Sequence, residues 1–201
     1  KLPELMRSTE HNLHFALAVL ERVACQAYGE REARALLRML ALHATPHPAL
    51  TRQLVEVMGC HESPTWLVEV AAQLCDTGEE GINLVVEQYK ELLTRDRAFL
   101  VPVIGSLGEL PLPAALKGQV LGMMQESLSI VEEADVPTVV RALLASLSPS
   151  TRASTVQTLR RHASGLPPSA LPLVVELIGS ALRADGAAAS AFLQAVRREH
   201  A

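Results

Sequence analysis

Apolar residues recur at helical spacing along nearly the whole of this chain. The most regular run is Val136, Val139, Val140, Leu143, Leu144 and Leu147. Spaced i, i+3, i+4, i+7, i+8 and i+11, these six share one side of a helix at 3.6 residues per turn. The run closes a central stretch, residues 99–148, in which three apolar segments are parted by proline-bearing corners.

The same construction extends to both sides. Residues 10–27 place Leu13, Ala16, Leu17, Leu20, Val23 and Ala24 on one face, and Gly29 follows as a terminator. A helix over 30–43 carries Ala33, Leu36, Leu37 and Leu40. Thr45 and Pro46 then offer a cap and a first-turn proline for a helix that stops at Gly59. Ser63-Pro64 repeats the start signal ahead of Trp66, Leu67, Val70, Ala71 and Leu74. Thr77 and Glu80 have capping-box spacing, and Ile82, Val85, Val86, Tyr89, Leu92 and Leu93 form the next stripe. A short helix after Asp96 ends near Leu107, and the corner at 110–113 leads to a longer one over 114–131. Asp135 stands where it caps the striped helix, with Pro137 in the first turn.

Beyond Ser148-Pro149 the spacing predicts a helix to His162, a break at 164–168, and a helix carrying Leu173, Val174, Leu177, Ile178, Ala181 and Leu182. A turn at Asp185-Gly186 and a last helix over 187–198 follow. No segment alternates with period two as a strand does. The expectation is an all-α chain of about eleven helices in short-cornered pairs. Pairs recur every ~35–45 residues, the rhythm of an α-solenoid of antiparallel HEAT- or armadillo-like repeats. A globular helical bundle is the rival arrangement. The 201 residues are read as a single helical-repeat unit, and the initial Lys1 suggests a piece of a longer protein.

Composition narrows the function classes. Hydrophobic residues make up 49% of the chain and aromatics 3%, so the core is built of Leu, Val and Ala. Residues 1–117 carry 15 acidic and 11 basic side chains, and residues 118–201 carry 7 of each. Neither part is basic enough to mark a nucleic-acid footprint by composition. The three cysteines, Cys25, Cys60 and Cys75, lack metal-site spacing and are odd in number, so neither a zinc site nor a disulfide framework is signalled. That usage suits a reducing compartment, cytosol or nucleus, and no apolar run reaches the length of a membrane span.

No phosphate-binding glycine loop, zinc-protease helix or nucleophile elbow occurs. His11 and His14 share a helix face without a third ligand at fixed spacing. His43 and His47 flank a corner and read as cap or surface residues. Cys60 and His61, being adjacent, point in different directions, and the acidic run Glu132, Glu133 and Asp135 suits the positive end of a helix dipole. No catalytic residue, cofactor or metal is therefore expected. Arg141, Arg152, Arg160, Arg161 and Arg183 are the candidate phosphate contacts, because equivalent helices of a solenoid stack side by side and would align them on one ridge. Without interleaved aromatics such a ridge would touch duplex backbone rather than stack on bases.

Three segments carry a family resemblance: YKELLTRDRAFLVPVIGSLGELPLP, EADVPTVVRALLASLS and PLVVELIGSALRADGAAASAFLQAVRRE. Over about residues 85–199 they resemble the monoubiquitinated clamp subunits of the Fanconi anaemia pathway, the group D-two branch more closely than the group I branch. The resemblance implies a nuclear α-solenoid scaffold that pairs with a paralogous solenoid around duplex DNA during interstrand crosslink repair. It also implies a lysine to which a ubiquitin ligase attaches ubiquitin. On that match the acceptor position falls on Gln194, whose amide cannot form the isopeptide bond, and Lys1, Lys90 and Lys117 are the only lysines in the chain. With Ala189, Phe192, Leu193 and Val196 facing inward, Gln194 points about 150° away from their mean direction. The alternative is a protein–protein adaptor in an assembly unrelated to DNA repair. An adaptor needs an apolar or mixed groove, whereas a clamp needs the five arginines on one surface.

Overall fold

The structure, a computed structural model, describes residues 9–25, 29–43, 46–60 and 65–146. Beyond these it describes Thr155, Thr158, Leu159, Arg161, Pro172, Val175, Glu176, Gly179, Gly186 and Ser190. The described residues are all-helical, and no strand occurs among them. The chain divides into two compact units, residues 1–113 and 114–201.

Six α-helices have described bounds in the first unit: α1 (Thr9–Ala24), α2 (Glu30–His43), α3 (Pro48–Gly59), α4 (Thr65–Leu74), α5 (Glu79–Arg95) and α6 (Leu100–Glu109). Each packs more extensively on the next but one than on its sequence neighbour. α1 lies on α3 and α3 on α5, while α2 lies on α4 and α4 on α6. The pairs α1 with α2, α3 with α4 and α5 with α6 tie the two rows together, giving a repeat-like helical arrangement. The predicted stripes supply most of these contacts: Ala16, Leu20, Leu37, Leu40, Leu67, Ala71, Val85, Val86, Tyr89 and Leu92 are fully buried, whereas Leu13, Leu17, Leu36 and Leu93 are half-buried and Ala24 is exposed.

Helix ends depart from the sequence expectation in instructive ways. α3 is capped by His47, not Thr45. The His47 backbone is extended, its Nδ1 accepts the Ala49 N–H at 3.1 Å, and Pro48 rather than Pro46 takes the first turn. A ring nitrogen two bonds from Cβ reaches the orphan donor much as an Asn oxygen does. The expected Thr77–Glu80 capping box does not form either, because α5 starts at Glu79 with Gly78 at the N-cap and no side-chain cap bond. The corner is shaped instead by Asp76. Its Oδ1 accepts the Gly78 N–H at 3.3 Å, and its own N–H donates to Thr51 Oγ1 at 2.6 Å, tying the corner to α3. The start signal at Ser63-Pro64 lies outside the described residues.

The same corner sets a requirement at Gly81. A Cβ placed there would stand 2.6 Å from the Asp76 carbonyl oxygen, a backbone atom that cannot rotate away. Gly118, by contrast, has nothing within 4 Å of that position among the described residues. Replacing a helical glycine by alanine contributes about 0.5–1 kcal/mol through backbone entropy, whereas overpacking costs about 1–3 kcal/mol. Gly81→Ala should therefore lower the urea midpoint and Gly118→Ala should raise it.

In the second unit α7 spans Ala114–Ser127 and α8 spans Val136–Ala145. α7 stops four residues before the expected Val131. The N–H groups of Ile130 and Val131 both turn back to the Ser127 carbonyl, and Ser129 Oγ donates to Glu126 O at 2.7 Å, so the backbone closes in turns. After a 3-10 turn at Glu133–Asp135, α8 begins with Asp135 at its N-cap and Pro137 in the first turn, but the Asp135 side chain makes no capping bond. Val136, Val139, Val140 and Leu143 are buried and Leu144 is half-buried, as the stripe requires; Leu147 lies outside the described residues. The eight α-helices with described bounds match the first eight of the predicted series. Gly186, expected in a turn, is helical.

Candidate interaction surfaces

Of the five arginines singled out as phosphate contacts, two are described. Arg141 stands on α8 between buried Val140 and Ala142 yet is itself exposed, and Arg161 is helical and exposed. Arg152, Arg160 and Arg183, together with Gln194, lie outside the described residues.

Several charged groups come together in the first unit. On α2, Arg34 and Arg38 both reach Glu69 of α4. Arg34 Nη2 bonds Glu69 Oε2 directly, Arg38 stands 3.8 Å from the same oxygen, and Glu30 lies 3.9 Å from Arg34. Since α2 and α4 are neighbours in one row, this network clips successive helices together. Arg52 of α3 and Glu80 of α5 do the same in the other row at 3.6 Å, both well exposed, where such a pair contributes about 0–1 kcal/mol.

A more directional clip closes the end of α3. Arg95, in the last turn of α5, donates to three carbonyl oxygens: Met58 at 3.0 Å, Gly59 at 3.1 Å and Cys60 at 2.9 Å. The last carbonyls of a helix lack intrahelical partners and carry its negative dipole end. The planar guanidinium fork answers both needs, and its carbon lies 5.5 Å from the Phe99 ring centroid, over its face. Nothing in the spacing of Arg95 announced this role, because its acceptors lie 35 to 37 residues away in sequence.

Among the described residues buried polar groups are few. Tyr89 is fully enclosed, its hydroxyl 2.5 Å from Ser106 Oγ and 3.4 Å from the Val68 carbonyl oxygen, which joins α5, α6 and α4. Burial pushes its phenol well above the ordinary tyrosine range, against the lowering effect of the Ser106 bond. Cys75, also buried, has its thiol pushed from 9.0 up to about 11, first by burial and then by nearby Asp76. Both groups are held in their neutral, protonated forms, so neither of the two is an activated nucleophile. Cys25 and Cys60 are exposed and free.

The sign of the resulting pH dependence follows from linkage. A thiol that ionises near 9 when unfolded but near 11 when folded adds stability in full below pH 9, and that stability is lost as pH rises toward about 11. Tyr89 acts in the same direction. Urea midpoints should stay level up to about pH 9 and then fall, and Cys75→Ala should flatten the first part of the fall.

Among the described residues no group of three or more His, Cys, Asp or Glu side chains could hold a metal ion. No described helix is long and apolar enough to cross a membrane. One shallow depression of about 470 Å³ lies on the exposed face of α5, lined by Glu79, Glu80, Asn83, Leu84 and Glu87. It is acidic around a single leucine that is 37% exposed, and it offers no convergent set of donors for an oxyanion or phosphate. In comparisons with known proteins, no family model, no curated protein and no solved structure matches the chain.

Proposed function

We propose that this chain is a helical-repeat scaffold that works through its surfaces and not through a reaction centre. The observation that supports this most is the packing of each helix of the first unit on the next but one in two tied rows. Stacked helical pairs of this kind bury their stripes on neighbouring pairs and leave long faces for partners. In the HEAT-like reading, the remaining helices continue the stack as an α-solenoid.

The partners proposed for it are those of the Fanconi clamp family: a paralogous helical solenoid and, jointly with it, duplex DNA in the nucleus. The reading rests on the three quoted segments and on the arginines of residues 118–201, of which Arg141 and Arg161 face solvent. With glutamine at position 194, regulation by ubiquitin would not run through that position. The adaptor reading draws support from α5, whose Glu79, Glu80 and Glu87 would repel phosphate around Leu84.

Fluorescence anisotropy of labelled duplex DNA, with the chain and a clamp-family solenoid partner present, tests the choice at a series of salt concentrations. The clamp reading expects affinity to fall steeply with salt, the slope of log K against log salt losing about 0.9 for each phosphate contact removed. Arg141→Ala and Arg152→Ala should each reduce that slope. Affinity that is absent or insensitive to salt would leave the adaptor reading in place.

A further inference from the structure

We draw no further inference here: the strongest candidate, the acidic depression on the exposed face of α5 formed by Glu79, Glu80, Asn83, Leu84 and Glu87, is a carboxylate cluster around one exposed leucine, and nothing in the structure shows what covers it.

Discussion

Tyr89→Ala is expected to destabilise the first unit by about 3–5 kcal/mol, the range for removing a buried aromatic ring. Tyr89 has no exposed surface, and its hydroxyl joins three helices through Ser106 and Val68. Truncation would open a cavity at the crossing of the two rows and leave the Ser106 hydroxyl to find another hydrogen-bond partner. Tyr89→Phe separates the two contributions. It keeps the ring and removes the hydrogen bond, so its cost should be about 0.5–1.5 kcal/mol. Equilibrium urea unfolding followed by circular dichroism measures both, and equal losses for the two variants would show that the ring is not packed as described.

Leu143→Ala should cost about 2–5 kcal/mol in the second unit. The side chain is fully enclosed on α8 beside Val139 and Val140, the centre of the most regular stripe in the sequence. Arg141, two residues earlier on the exposed side of the same helix, provides the contrast. Arg141→Ala should alter stability by no more than about 0.5 kcal/mol, so a DNA-binding defect in that variant would not be a folding defect. A differential calorimetric scan in which Leu143→Ala melts with the parent would contradict the placement of the stripe.

Much of this architecture was legible because helix-forming stripes are local. Val136 to Leu143 on α8 and Ile82 to Leu92 on α5 face inward as their spacing demands. Helix starts were less legible, since several residues near each corner have the chemistry of a cap. Thr45 is a better cap by propensity than His47, and Thr77 is about equal to Gly78, but the φ and ψ of the corner decide which residue sits one position before the first turn. Long-range polar contacts left no trace in the spacing. Arg95 stands in the last turn of α5, yet its guanidinium closes the end of α3. The requirement for glycine at position 81 likewise comes from the Asp76 carbonyl beside it. The arginine ridge is a claim about residues 141–183 brought side by side, and of these Arg141 and Arg161 are placed on the surface.

The row packing of the first unit is the claim on which the scaffold reading stands, and pulsed electron–electron spin resonance tests it most directly. Spin labels at exposed Ala18 on α1, Glu56 on α3 and Glu87 on α5, taken in pairs in a background free of native cysteines, report the three distances between helices of one row. With α1 on α3 and α3 on α5, the α1–α5 pair should exceed either neighbouring pair by about one interhelical spacing, roughly 8–10 Å. Three equal distances would mean that the helices surround a common centre, and would contradict the repeat-like arrangement.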